Sequence, residues 1–208
     1  ITVSHTAVAT VAAVEAVGAL PVLVDVESQF YTLNPSQLEE VTTSKTKAVI
    51  VVHLYGQAAN MDEIKSFCAK RNLFLIEDAS QAHGAKYNEK RLGSIGDIGC
   101  FSCYPTKNLG AIGDAGLITT NNTNLATKIR MLREYGWNER ISEFSGRNSR
   151  LDELQAAILR VKLKYLDADN EKRRQLAQFY TVNLSDSRVS LPVVRAGTES
   201  VFHLFVLQ

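Results

Sequence analysis

Residues 47–78 read KAVIVVHLYGQAANMDEIKSFCAKRNLFLIED, and this stretch decides the fold class. Residues 47–53 (KAVIVVH) hold an apolar run of Ala, Val and Ile between Lys47 and His53, the pattern of a strand buried on both faces. Residues 61–71 place Ile64, Phe67 and Cys68 on one face, which is the helical period. Residues 73–76 return to an apolar strand, which ends in Glu77 and Asp78. Strand, helix and strand in that order imply an α/β layer with a mostly parallel central sheet flanked by helices. Ligands of such sheets bind outside the carboxyl ends of the strands, which is where Asp78 falls. Taken alone, Asp78 serves equally well as a loop residue capping a helix.

The rest of the chain continues the alternation. Residues 6–17 (TAVATVAAVEAV) read as a helix with Thr6 available as its cap and Gly18 as its stop. Residues 21–26 (PVLVDV) read as a strand. Residues 34–41 read as a helical turn opened by Pro35, with Leu38 inward. Residues 93–103 are punctuated by Gly and Ser, and 117–120 form a short strand. Helices are expected at 124–135 and 151–166. In the second, Leu151, Leu154, Ala157, Ile158, Val161 and Leu166 follow helical spacing. Residues 170–184 extend as a charged helix with Leu176, Phe179 and Tyr180 on one side. Residues 185–197 read as a linker, and 200–207 (SVFHLFVL) as a last strand.

Length and composition bound the function. The chain has 208 residues, 45% hydrophobic and 22% charged, which is globular composition and ample for a core. Lys and Arg number 23 against 22 Asp and Glu, a net charge of +1. This balance argues against nucleic acid or an anionic membrane as the main partner. Three cysteines with no ligand framework suggest reduced thiols and a cytoplasmic location. No apolar run approaches the roughly 18 residues of a membrane span. The chain begins at Ile1 rather than Met, so the natural start is expected upstream.

Three segments are expected to converge: IEDASQAHGA (76–85), GCFSCYPTKNLGAIGDAG (99–116) and GRNSRLDELQAA (146–157). Lys107 sits among Ser102, Pro105, Thr106, Asn108 and Gly110, a small, polar, turning segment. A partly desolvated lysine loses its proton more readily and becomes a Schiff-base nucleophile. The plain alternative is a loop lysine extending its stem to solvent. His53 and His83 read as hydrogen-bonded structural histidines, and no cluster has metal-ligand spacing.

With SHTAVAT (4–10), VVHLYGQAANMDEI, LIEDASQAHGA, FSCYPTKNLGAIGDAG and NSRLDELQAAILRVKL in this order, the chain resembles the DegT/DnrJ/EryC1/StrS family of sugar aminotransferases. These enzymes depend on pyridoxal phosphate, with pyridoxamine phosphate as an intermediate. The resemblance implies the large domain of a fold-type I enzyme over residues 1–184, and the start of a small C-terminal domain over 185–208. It implies that Lys107 forms the Schiff base and moves the proton, and that Asp78 holds the ring nitrogen protonated. Gln81 matches the position beside the ring's phenolic oxygen, and Ser102 the serine on the phosphate. Asn148 matches a residue reaching that phosphate from the neighbouring subunit of a homodimer with shared sites. Ser102 as a turn serine and Asn148 as an Asx-turn are the plain readings.

The resemblance has departures. Ala7 stands where the family places an aromatic ring over the cofactor. His5, two residues earlier on the same face of an extended segment, is the expected substitute. Cys103 replaces a Phe, and Ala115 a Gly. The family extends beyond both ends of this sequence, including an upstream Gly-Thr pair that helps bind the phosphate. The implied reaction carries an amino group from glutamate to a keto group of a nucleotide-linked deoxysugar, in particular the 3-keto position of a dTDP-sugar. Two alternatives stand beside it. One is a sugar dehydratase, which has His in place of Lys107. The other is a catalytically silent regulatory paralogue.

Overall fold

The computed structural model describes residues 1–185 and 188–208. A six-stranded sheet forms its centre. Its strands are β1 (Thr2–Val3), β2 (Leu23–Val24), β3 (Ala48–Val52), β4 (Phe74–Asp78), β7 (Ile98–Ser102) and β8 (Gly116–Thr119). They lie in the order β2-β1-β3-β4-β7-β8. All neighbours run parallel except β7 and β8. The sheet is mostly parallel, as the sequence predicts. Short antiparallel pairs complete the strands: β5 (Lys86–Tyr87) with β6 (Lys90–Arg91) and β11 (Thr198–Glu199), and β9 (Trp137–Asn138) with β10 (Ile141–Ser142).

The helices are α1 (Val8–Glu15), α2 (Leu38–Val41), α3 (Met61–Arg71), α4 (Thr123–Leu132), α5 (Glu153–Leu163) and α6 (Leu166–Asn183). α3 shows why the pattern was readable. Asn60 caps it by accepting from the Glu63 N–H, and Asp62 and Glu63 occupy the positive end. Lys70 and Arg71 occupy the last turn, and Asn72 closes the helix in the left-handed region at φ 53°. Ile64 and Cys68 turn into the core with Val49, Val51 and Leu75. Each such aliphatic side chain contributes about 1.5–3 kcal/mol by leaving water.

Several boundaries differ from expectation. α1 begins at Val8 with Ala7 as its cap residue. Thr6 does not cap it, because the Thr6 hydroxyl bonds that of Thr10 at 3.0 Å. Only Leu23–Val24 of residues 21–26 joins the ladder, since β1 offers just two residues to pair with. The segment 93–103 contains a full strand, β7. The helix expected at 124–135 ends at Leu132, where the chain turns back to bond residues 146–149. The helix expected at 151–166 starts at Glu153 and stops at Leu163, and α6 begins at Leu166.

The apolar stripe expected at 151–166 faces the core only in part: Leu166 is buried in a small cluster and Leu151 packs against it. Leu159 is buried while Leu154 is 71% exposed, and Val161 is exposed too. On α6, Ala177 is buried while Phe179 is 62% exposed, with Leu176 and Tyr180 also outward. Residues 200–207 form no strand. They lie against Gly56 and Tyr55, with Val201 N–H donating to the Gly56 carbonyl at 3.1 Å. Of the linker expected at 185–197, residues 186 and 187 lie outside the described residues.

Candidate active site

β1 has β2 on one side and β3 on the other, so the connections diverge at β1 and open a crevice at the carboxyl edge. Register brings the strand ends level there: Val52 pairs with Asp78, and Asp78 with Cys100. The segments that follow these ends carry most of the candidate residues.

Asp78 closes β4. Its Oδ2 accepts the Thr10 hydroxyl at 2.8 Å, and its Oδ1 accepts the Ser80 N–H at 3.1 Å. An ionised carboxylate only accepts, so Thr10 donates to Asp78 and Thr6 donates to Thr10. The first turn of α1 therefore aims the carboxylate. Gln81 follows in the same loop, its Oε1 accepting the Tyr55 N–H at 2.7 Å. His5, just after β1, is hydrogen-bonded through Nε2 to the Tyr55 hydroxyl at 2.8 Å. Ala7 is extended, with φ −64° and ψ 140°.

Lys107 lies beyond the end of β7. Its N–H donates to the Tyr104 carbonyl at 2.9 Å, and the loop then folds back on itself. Gly110 permits that closure, because a Cβ there would stand 2.5 Å from the Pro105 carbonyl oxygen. Asn108 anchors the loop. Its Nδ2 donates to Asn170 Oδ1 at 3.0 Å and to the Val201 carbonyl at 3.2 Å, and its Oδ1 accepts from His203 Nδ1 at 2.9 Å. The half-buried Lys107 ammonium has no hydrogen bond or ion pair among the described residues. Ser102, the last residue of β7, accepts the Tyr104 N–H on Oγ at 3.3 Å. Its hydroxyl proton stays available to a ligand.

Two histidines sense the lysine charge. Burial pushes His83 down to about 4, with Lys107 and then His203 adding to the effect. Burial likewise pushes His203 down to about 4, with Lys107 and Arg173 assisting. Both rings are neutral near neutral pH. His83 departs from expectation. It is 2% exposed, packs on Phe101 with ring centroids 5.3 Å apart, and neither ring nitrogen has a hydrogen-bond partner among the described residues. The Ser102 backbone favours its protonated form without meeting hydrogen-bond geometry. His53 fits its structural reading. Its Nδ1 accepts the Ala59 N–H at 3.3 Å and its Nε2 donates to Glu77 Oε2 at 3.0 Å.

Glu77 is fully buried beneath the site. Burial works to raise its pKa, but the His53 contact and the Gly96 and Gly93 N–H groups more than offset this and hold it low. Asn148 stands apart from the other candidates. It bridges to Glu134 and accepts from Arg150 Nε at 3.0 Å, on the exposed surface. The third expected segment still approaches the lysine loop, because Gln155 Oε1 accepts the Ile112 N–H at 2.9 Å. Cys103, in place of a Phe, is buried, and Ala115 adopts no left-handed φ.

These residues fit pyridoxal phosphate. Lys107 offers an unpaired amine and Asp78 a carboxylate braced by two donors. Among the described residues nothing takes the amino end of Gln81 or the hydroxyl proton of Ser102. Sequence reasoning passed over Thr10, Tyr55, Asn108, Asn170 and His203. Their only signal was polarity inside or beside the quoted motifs.

A model of the DegT/DnrJ/EryC1/StrS aminotransferase family matches residues 1–208. The chain is 50% identical over 206 residues to the dTDP-3-amino-3,6-dideoxy-alpha-D-galactopyranose transaminase of Aneurinibacillus thermoaerophilus, covering 99% of this chain and 57% of that protein. It is 45% identical over 207 residues to the erythromycin biosynthesis sensory transduction protein EryC1 of Saccharopolyspora erythraea, covering 99% and 57%. Among solved structures, DesV of S. venezuelae in complex with a ketimine intermediate superposes with a TM-score of 0.96 at 43% identity, covering 99% and 57%. The chain thus spans 57% of the length of each of these relatives. With this sheet order, this lysine loop and a match along its whole length, the chain belongs to the DegT/DnrJ/EryC1/StrS aminotransferase family.

Proposed function

We propose that residues 1–184 form the cofactor-binding domain of a pyridoxal-phosphate-dependent aminotransferase, with 185–208 leading into a smaller domain. The reaction carries an amino group, with glutamate as donor, to a keto group of a nucleotide-linked deoxysugar. The 3-keto position of a dTDP-sugar is the specific expectation, and the name of the A. thermoaerophilus relative, a dTDP-3-amino-sugar transaminase, supports it. A cytoplasmic setting belongs to the same reading and is supported by three free thiols. One observation carries the proposal: an unpaired, half-buried Lys107 in a tightly closed loop, at the strand ends that also present a braced Asp78.

When bound, pyridoxal phosphate supplies an electron sink for the carbanion formed at the amino-bearing carbon. The Lys107 amine would hold the cofactor covalently and, when free, would take and return the proton. Asp78 keeps the ring nitrogen protonated through a charge-assisted hydrogen bond. Gln81 donates to the ring oxygen and Ser102 to the phosphate. Asn148 reaches the phosphate of the partner subunit, a reading supported by its exposed position and by its contacts with Glu134 and Arg150 rather than with the other candidates. His5 supplies a flat ring where Ala7 has none. The outward Leu154 and Val161 on α5 and Leu176 and Phe179 on α6 offer apolar surface that a homodimer would cover.

The test is amino transfer from glutamate to a panel of nucleotide-linked 3-keto and 4-keto sugars, catalysed by the intact protein. Product from a 3-keto dTDP-sugar supports the reading, and no product from any keto sugar contradicts it. A regulatory paralogue is the second reading. It is favoured by Ala7 and by the sensory-transduction name of the S. erythraea relative. A protein with no borohydride-sensitive cofactor band supports that alternative.

A further inference from the structure

Tyr55 joins three segments at the carboxyl edge, and the reaction outlined above gives it no task. Its N–H donates to Gln81 Oε1 at 2.7 Å. Its hydroxyl is hydrogen-bonded to His5 Nε2 at 2.8 Å. Its carbonyl accepts the Leu204 N–H at 3.4 Å. One residue therefore ties together the segment after β1, the loop after β4 and the C-terminal segment.

Its backbone is unusual. Tyr55 has φ 59° and ψ 8°, the left-handed region, where an aromatic residue is uncommon. Gly56 follows at φ 91°, also left-handed. A Cβ on Gly56 would lie 2.8 Å from Val201 Cγ2 and 2.9 Å from the His203 nitrogen, so the C-terminal segment seats directly on this turn. Such conformations persist where the surroundings over-determine them, and they cluster at ligand sites. Here the consequence is specific. A residue 55 that left this conformation would send Gly56 away from Val201 and His203, and the turn that presents its N–H to Gln81 would have to rearrange.

The identity of the donor also fixes the amide. A backbone N–H can only donate, so the Gln81 atom it meets is the oxygen. Gln81 therefore has only its amino end, with two N–H donors, left for a ligand. Donors of this kind suit an anionic oxygen and do not suit a cation or a ligand N–H.

We propose that Tyr55 is the positioning residue for Gln81: its left-handed backbone N–H takes the Gln81 oxygen and so turns the amide to donate to an anionic oxygen of the bound ligand. The inference rests on the reading that this oxygen is the phenolic oxygen of pyridoxal phosphate. A donor there stabilises the phenolate, so removing it raises the pH midpoint of the bound chromophore. The charged groups assigned to the cofactor, Asp78 and Lys107, stay in place in every variant below.

The intact protein is loaded with pyridoxal phosphate and its visible absorbance is titrated with pH. Gln81→Leu is expected to raise the midpoint by about one unit, a tenfold change in the equilibrium. Gln81→Glu is expected to raise it further, because the end that faced the ligand becomes a carboxylate oxygen. Tyr55→Gly keeps the left-handed turn and is expected to titrate within about 0.3 unit of wild type, whereas Tyr55→Val opposes that conformation and is expected to follow Gln81→Leu. If Tyr55→Val does not fold, Tyr55→Ala replaces it, and Gln81→Glu still tests the amide orientation. A wild-type midpoint in Gln81→Leu or Gln81→Glu overturns the inference, and so does equal behaviour of the Gly and Val variants. A wild-type protein with no borohydride-sensitive band takes down the proposed function first and this inference with it. The two failures are thus distinguishable.

Discussion

The hydroxyl of Thr10, in the first turn of α1, donates to the Asp78 carboxylate at 2.8 Å, joining residues 68 positions apart in sequence. The bond crosses from the helix after β1 to the end of β4, so two elements of the fold share the aiming of one carboxylate. Thr10 is itself buried, and Thr6 supplies its acceptor oxygen with a donor. A carboxylate that must face a ring nitrogen needs such bracing against rotation.

This arrangement makes Thr10 a test of positioning. Thr10→Val keeps the shape and removes the donor. It is expected to lower kcat by about tenfold, equivalent to about 1.4 kcal/mol of barrier. Thr10→Ser restores the hydroxyl and is expected to recover most of the loss. A Val variant within twofold of wild type contradicts the role.

Asp78→Asn keeps volume and removes charge. Loss of an electrostatic partner at the reacting centre is expected to lower turnover by roughly 100-fold or more. Retained cofactor binding, measured by fluorescence of the bound group, separates this from unfolding. A loss under about tenfold is too small for the role assigned to Asp78.

His83 makes stability depend on acid. The unfolded ring titrates near 6.5 and the folded ring near 4, so between these values the unfolded chain binds more protons. Stability is therefore present above pH 6.5 and falls as pH drops toward 4, by on the order of 3 kcal/mol from this group. His203 acts with the same sign. His83→Phe fills the same slot against Phe101 and is expected to flatten the slope of the urea midpoint between pH 6.5 and 4. An unchanged slope counts against the buried, neutral state of His83.

Asn148 tests the shared site. Lys107→Ala and Asn148→Asp subunits are each expected to be inactive or weak, the second because a carboxylate repels the phosphate. A mixed dimer then holds one site with both lesions and one with neither. Activity is expected to return on mixing. Verified mixed dimers with no recovery reject the cross-subunit role.

Local chemistry was the most legible part of the sequence. α3 was readable to the residue because a cap, charges matched to the helix ends and a 3.6-residue apolar period coincide. The place of Asp78 at a strand end was readable because a buried apolar run stops at it. Direction was not readable. The apolar positions of α5 follow helical spacing, yet Leu154 and Val161 face outward, since periodicity gives a stripe without saying which surface meets it. Residues 200–207 look like a strand because they are apolar and aromatic. Their backbone instead bonds a left-handed turn, and φ at Tyr55 and Gly56 has no signature in a Tyr-Gly pair. Asn108 and Asn170 were silent because an amide bond between residues 62 apart leaves no local trace.

The central claim is that Lys107 is the cofactor-bearing lysine, and covalent trapping tests it most directly. The intact protein is incubated with pyridoxal phosphate, reduced with borohydride, digested and analysed by mass spectrometry. The account predicts one phosphopyridoxyl adduct, on the Lys107 side chain, and its absence from Lys107→Ala. An adduct on another lysine that persists in the variant, or no adduct at all, contradicts it.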